Sequence, residues 1–376
     1  MTFNRILPAA VFLGALIVLF LALPARDPLG RPLPVALALG AAFGIVLQRS
    51  RFCFWCNAAD WFRDRNPSGL IAILAALAAG AVGHWVIAGA WLPDPSTGRL
   101  PPDAHIGPVS LTLAAGAFVF GLGMAVSGSC ISAHFYRLGE GAYGSVIALA
   151  GAAVGFVLGF LSWNWLWLND VISARVIWLP AFLGHDGALV LTLALIGALW
   201  LILRQRGAGA STPAGRWPGV LGGVLVGFIA TLAWFRIGPL GVTAEFGSLS
   251  RTAAVDLGLL PDTLLGLDGL RGCATVVKET LLSRNGVFVL GLVLGAAAAA
   301  HAAGDWKPAF PAVRDVPRLF LGGVMLGWGA MVALGCTVGV ILSGIMVGAL
   351  SGWVFAVACV AGAWTGWRLR AVRQSV

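Results

Sequence analysis

Six cysteines, at positions 53, 56, 130, 273, 336 and 359, are the residues of this 376-residue chain whose types and surroundings best suit chemistry. The run Gly121-Leu-Gly-Met-Ala-Val-Ser-Gly-Ser-Cys130 reads as an apolar helix that breaks at Ser127-Gly128-Ser129. Near the C-terminus, Gly327-Trp-Gly-Ala-Met-Val-Ala-Leu-Gly-Cys336 repeats the design: Gly121, Gly123, Val126 and Cys130 fall on Gly327, Gly329, Val332 and Cys336 without a gap. A thiol donates a weak hydrogen bond to an anionic sulfur or oxygen, and backbone N–H groups that open a helix face an anion. Short helices beginning after Cys130 and Cys336 would supply both, with Gly128, Ser129, Gly335 and Thr337 shaping the breaks. Weak donors in series let an anion leave, where a fixed strong charge would trap it.

The third cysteine context is Gln48-Arg49-Ser50-Arg51-Phe52-Cys53. It reads either as an anion-attracting vestibule leading to a polarisable sulfur, with Gln48, Arg49 and Arg51 at its mouth, or as an arginine anchor beside a buried cysteine. Cys53-Phe-Trp-Cys56 is formally a C-x-x-C pair, redox-active in some settings, but no thioredoxin-like βαβ pattern surrounds it. Cys359, inside an apolar run, reads as a small buried hydrophobe, and Cys273 as structural or peripheral. His84 reads as a packing histidine or a proton relay. The chain has no Walker A loop, zinc-ligand cluster or nucleophile elbow, so neither an ATP-driven pump nor a cofactor is expected.

The elements that position these residues are set by composition. Hydrophobic residues make up 59% of the chain and charged residues 10%, with a mean hydropathy of +0.92; a soluble globular chain carries about 25% charged residues. This is an all-α polytopic membrane protein. The 52 glycines suit membrane helices, where small residues let backbones approach. The net charge of +9 is scattered between apolar runs, which fits cytoplasmic positive-inside bias and a lipid surround rather than nucleic acid. Spans of about 20 apolar residues are expected over 6–23, 33–48, 68–92, 109–127, 141–166, 185–204, 217–235, 285–303, 317–334 and 347–367. Between them, 52–62, 128–140, 168–183, 237–283 and 335–346 are too irregular for spans and too apolar for ordinary loops, so broken or re-entrant structure is expected there. Arg236, Glu245, Arg251, Asp256, Arg271, Lys278 and Glu279 lie in or beside 237–283, at membrane depth or on an outer surface.

Arginine clusters at 49–65, 204–216 and 368–373 all become cytoplasmic if both termini are cytoplasmic. Five spans per half give the halves opposite orientation, an inverted pseudo-two-fold repeat whose broken elements meet near the midplane. Residues 205–216 read as a cytoplasmic linker, with 1–204 before it and 217–376 after it.

Leu47-Gln-Arg-Ser-Arg-Phe-Cys53, Gly128-Ser-Cys130 and Gly335-Cys-Thr-Val-Gly339, followed by Ser343-Gly344, resemble the YeeE/YedE family of sulfur-compound transporters, and the likeness runs over roughly 35–367. The resemblance implies an hourglass-shaped helical protein of the bacterial inner membrane, with the span over 6–23 as an N-terminal addition. It implies thiosulfate uptake, with Cys53, Cys130 and Cys336 lining the path by S–H contacts and Cys130 as the central station. A small soluble TusA-like sulfur carrier is the implied partner. A selenium or other sulfur oxyanion is the alternative substrate. The competing classes are a membrane thiol oxidoreductase built on Cys53 and Cys56, and a purely structural membrane subunit.

Overall fold

The computed structural model describes residues 3–27, 30–92, 94–101, 103–209, 215–269, 275–278 and 282–374. The first half of their helices is α1 (Phe3–Ala22), α2 (Leu33–Ser50), α3 (Phe54–Asp64), α4 (Ser68–Trp91), α5 (Leu111–Ser127), α6 (Ile131–Gly139) and α7 (Gly144–Asn169). Then come α8 (Pro180–Arg206), α9 (Gly219–Arg236), α10 (Val242–Asp256), α11 (Arg284–Ala303) and α12 (Val316–Val332). A π-helical turn, Thr337–Leu342, runs into α13 (Ser343–Met346), and α14 (Leu350–Gln374) comes last. Among the described residues the strand content is β1 (Pro108–Val109) antiparallel to β2 (Arg175–Val176), which ties the start of α5 to the start of α8.

Among the described residues, nine helical runs, from Leu33–Asp64 to Leu350–Arg370, are long and apolar enough to cross a membrane by length and composition, and Ile6–Ala22 is a shorter apolar helix beside them. The all-α polytopic architecture is therefore as expected. The stretch 237–283 differs from expectation: it is not irregular throughout, because 242–256 folds as α10. A buried arginine on α10 gathers the chain beyond that helix. Arg251, 1% exposed, donates to Asp268 at 2.7 Å and to the Thr275 and Asp262 carbonyls at 2.9 Å each. Arg271, Cys273 and Glu279, and residues 210–214 of the expected linker, lie outside the described residues.

Helices in a bilayer lose no more apolar surface by touching each other than by touching lipid, so close packing has to hold them together. Paired glycines provide it. Gly151 and Gly155 of α7 abut the Phe320 and Val324 carbonyls of α12, and Gly323 and Gly327 of α12 abut those of Ala148 and Ala152 on α7; a Cβ at any of the four would penetrate the partner's backbone. Gly40 and Gly44 of α2 meet α11 in the same way, and Gly223 and Gly227 of α9 meet α4. The packing has an internal correspondence: α2 lies on α11 as α9 lies on α4, α7 on α12 as α14 on α5, and α1 on α11 as α8 on α4. The arginine-rich ends share one face, where the Trp217 N–H donates to the Arg49 carbonyl (2.9 Å), the Ala208 N–H to that of Arg65 (3.0 Å), and Phe62 packs on Trp367.

This packing makes a sharp comparison. Gly327→Ala forces α7 and α12 apart and should cost about 1–3 kcal/mol, as overpacking does, read as a lower midpoint of thermal unfolding in detergent. Gly14 of α1 has nothing within 4 Å of where a Cβ would stand, so Gly14→Ala should leave the midpoint unchanged or raise it. Equal midpoints for the two variants would remove glycine packing as the cause.

Candidate functional site

Four long helices, α2, α5, α9 and α12, are each broken by residues in the left-handed region ahead of a further helical piece. Arg51 (φ 51°) ends α2, Gly128 (φ 88°) ends α5, and Leu334 (φ 57°) with Gly335 (φ 152°) comes after α12. Gly238 (φ 105°) comes after α9. Each turn returns an N–H to the helix just finished: Phe52 to Leu47 (3.0 Å), Gly128 to Met124 (2.8 Å), Gly335 to Ala330 (2.7 Å) and Gly238 to Ala233 (2.8 Å). That is how orphan carbonyls at a helix end are satisfied without water. After the first three breaks the capping residue is extended, and after each of the four a further helical piece then begins.

Cys53, Cys130 and Cys336 each occupy the N-cap of the next helical piece, namely α3, α6 and the π turn. Their exposures are 0%, 2% and 1%, so the three sulfurs are sealed in the interior. The Cys53 thiol lies against those of Cys130 and Cys56, and Cys130 in turn lies within electrostatic range of Cys336. The three predicted path cysteines thus come together from distant parts of the chain. All five described cysteines are free thiols. Cys359 sits in α14 against Gly121 of α5, as a packing residue does.

Three buried hydroxyls belong to the same region: Ser132 on α6, Thr337 beside Cys336, and Thr243 in the first turn of α10, at 2%, 1% and 3% exposure. Those of Ser132 and Thr243 stand within reach of the Cys336 thiol, and beyond that weak contact none of the three has a hydrogen-bond partner among the described residues. A thiol is a weak hydrogen-bond partner, so the Ser132 and Thr243 hydroxyls keep most of their hydrogen-bonding capacity for another group. Thr243 carries no signal in the sequence, because its break, Ile237-Gly-Pro-Leu-Gly241, contains no cysteine.

Arg137 is a second residue that sequence reading missed. Two turns into α6, it donates to the Ser129 hydroxyl (2.5 Å) and the Gly128 carbonyl (3.3 Å), and so fixes the turn ahead of Cys130. Its guanidinium acts electrostatically on both Cys53 and Cys56. His134 braces the same turn, with its ring nitrogens 3.2 Å from the Ser145 hydroxyl and 3.3 Å from that of Ser127. His84 lies elsewhere, its ring tilted against that of Trp234 with centroids 4.4 Å apart.

The expected vestibule residues are less free than their types suggest. The Gln48 amide donates to Glu140 (3.3 Å) and Asp305 (3.1 Å), and Arg49 pairs with Asp305 at 3.2 Å. Arg216 lies 3.3 Å from Asp305 and 3.9 Å from Glu140, and donates to the Gln48 carbonyl. Burial pushes the Glu140 carboxyl above the ordinary carboxylate range, against the opposing pull of Arg216, Arg137 and Gln48. This cluster ties α2, the α6–α7 turn, the α11–α12 segment and the approach to α9 into one polar cap. Arg51 is nearly half exposed and pairs loosely with Asp60 at 3.8 Å. It lines a cavity of about 230 Å³ with Asn57, Asp60, Arg63 and Arg216. Beyond Thr243, a cavity of only about 10 Å³ lies against Thr275 and Gly335.

Comparison with known proteins fits this arrangement. The family model described as sulphur transport matches residues 49–365. The chain is 28% identical over 351 residues to the thiosulfate transporter TsuA of Escherichia coli (strain K12), covering 88% of this chain and 92% of that one. It is 28% identical over 354 residues to the thiosulfate transporter TsuA of Spirochaeta thermophila, covering 88% and 96%. A shorter match, 35% identical over 85 residues, covers 22% of this chain and 21% of the probable transporter YedE of Escherichia coli (strain K12). With a match spanning most of its length, the chain belongs to the sulphur-transport family of membrane proteins, the YeeE/YedE family that its cysteine motifs resemble.

Proposed function

We propose that this membrane transporter of sulfur compounds takes up thiosulfate, passing it along Cys53, Cys130 and Cys336. The single observation that carries the reading is the convergence of three helix-capping thiols in one sealed region, each a weak donor to an anionic sulfur. The relatives named as thiosulfate transporters, matched over 88% of the chain, support that substrate over a selenium or other sulfur oxyanion. A dithiol oxidoreductase using Cys53 and Cys56 is disfavoured, because the family is one of transport.

The membrane in this reading is the bacterial inner membrane. The shared face of the arginine-rich ends supports a cytoplasmic placement for that face and for both termini. The cavity at Arg51 would then be the cytoplasmic vestibule, where Gln48, Arg49 and Arg51 meet the departing ion and a TusA-like carrier would collect it. We infer further that the inverted repeat runs α1–α7 and α8–α14, since corresponding helices of these two sets make corresponding contacts. The seam then falls at 170–179, ahead of the 205–216 linker, and α1 is the partner of α8 rather than a simple addition.

Uptake of radiolabelled thiosulfate into cells lacking other sulfate and thiosulfate uptake tests the relay. Cys130→Ser, at matched membrane levels, should lower the initial rate by about tenfold or more, the worth of a contact to a charged ligand. Cys359→Ala should transport normally. Unchanged uptake by Cys130→Ser would sink the relay, and loss confined to Cys53→Ala and Cys56→Ala would favour the dithiol reading instead.

The sealed thiols predict a second outcome. In a Cys273→Ser background, a bulky maleimide should modify the five remaining cysteines only after unfolding, as mass spectrometry would read. Rapid native modification of Cys130 would contradict a closed path.

A further inference from the structure

If thiosulfate is the cargo, a reading on which this inference rests, something must hold the oxygen end of the ion. Thiosulfate presents two chemistries, a terminal sulfur and three oxygens, and a thiol lane addresses the sulfur alone. Oxygens bearing negative charge seek O–H and N–H donors, which are stronger than S–H.

The internal correspondence of the fold points to where such donors stand. α3 comes after the break of α2, and α10 after the break of α9. On α3, Asn57 sits against Gly69 near the start of α4; on α10, Glu245 sits against Gly286 near the start of α11. The two short helices are thus equivalent in position, but α3 begins with Cys53 whereas α10 begins Gly241-Val-Thr243. In this register Gly241 stands where Cys53 does, so α10 lacks the capping thiol and carries a hydroxyl, Thr243, two residues further on.

We propose that Thr243 and Ser132 form a hydroxyl station at Cys336, which takes the oxygens of thiosulfate while the thiol takes its terminal sulfur. Both hydroxyls are buried, both stand at the same weakly bonding sulfur, and neither has any other hydrogen-bond partner among the described residues. Two further features suit the role. The Gly241 cap leaves the opening N–H groups of the 15-residue α10 without a side-chain acceptor. Glu245, the acid in its first turn, is engaged by Lys278 and accepts from Ser283 at 2.8 Å. An anion at Thr243 therefore meets neutral donors and a compensated carboxylate. The station selects for ions that carry both a soft sulfur and hydrogen-bonding oxygens.

The test is the concentration dependence of radiolabelled thiosulfate uptake in wild type, Thr243→Val, Thr243→Ser and Ser132→Ala, with membrane levels and monodispersity matched. Valine keeps the shape of threonine and removes the hydroxyl. Thr243→Val should raise the half-saturation concentration by about tenfold, Thr243→Ser should stay near wild type, and Ser132→Ala should move in the same direction as Thr243→Val. A wild-type constant in Thr243→Val and in Ser132→Ala would overturn the station while leaving the thiosulfate reading intact. Loss in Thr243→Val that Thr243→Ser shares equally would also overturn it, since the hydroxyl would not be what matters. Absence of thiosulfate uptake by well-expressed wild-type protein would overturn the underlying reading and this one with it.

Discussion

A helix that stops at membrane depth leaves carbonyls behind it and N–H groups ahead of it with no water to take them. The rest of this structure depends on how that constraint is met. The left-handed residues Arg51, Gly128, Leu334 and Gly238 fold the chain back on the carbonyl side. On the N–H side the chain uses weak caps. Cys130, Cys336 and Gly241 make no side-chain cap bond, and the Cys53 sulfur accepts from Cys56 at 3.4 Å. Serine or aspartate would cap more strongly, but would occupy the very donors that face an entering anion, and aspartate would repel it. Weak capping keeps the interior receptive at some expense in stability, which the glycine-lined helix contacts around it offset.

Charge is handled in the opposite way. Most strong charges near the site have fixed partners. Arg137 is held by Ser129 and Gly128, Arg49 and Arg216 by Asp305, Glu245 by Lys278, and Arg251 by Asp268. In a poorly screened interior a bare cation would bind an anion too tightly to release it. Arg137 instead supplies a positive field to the Cys53–Cys56 region while its hydrogen bonds are directed at the backbone turn. Neutral groups are the ones left unpaired. The division between paired charges and unpaired hydroxyls and thiols is what a path for a mobile anion requires.

Much of this was legible in the sequence where a strong local signal coincided with a break. The two cysteine repeats stood out because apolar runs ended in Ser127-Gly-Ser129 and in Leu334-Gly335, each directly ahead of a cysteine. The overall class came from hydropathy alone. Other features had no such mark. α10 opens with Thr243-Ala-Glu-Phe-Gly247, too polar and mixed to register as a helix at membrane depth, and it is stabilised by Arg251 reaching residues far along the chain. Arg137 looked like any cytoplasmic arginine, since its partners, Ser129 and Gly128, become neighbours only when α6 folds back beside the break. Gln48 and Arg49 were recognisable as polar groups at a helix end, but their pairing with Asp305, more than 250 residues away, belongs to tertiary structure.

The correspondence between the two sets of helices separates what repetition explains from what it does not. Repetition accounts for the geometry: equivalent breaks on equivalent helices, aimed at one region. It does not account for the chemistry, because the thiol that caps α3 has no counterpart at the Gly241 cap of α10, where Thr243 offers a hydroxyl two residues on, and the polar cap around Glu140 and Asp305 differs from the buried Glu245–Lys278 pair. Such asymmetry orders the donors an ion meets, but it cannot by itself move the ion in one direction. A path that binds and releases at equilibrium works equally in reverse, and a protein shifts an equilibrium only through a difference in free energy between states. Uptake by the path proposed above would, without a coupled ion, run only down a gradient, which a reaction that consumes the sulfur compound on the arginine-rich side would maintain. The role left to the protein is to be selective and fast, and thiols and hydroxyls that bind weakly serve both ends.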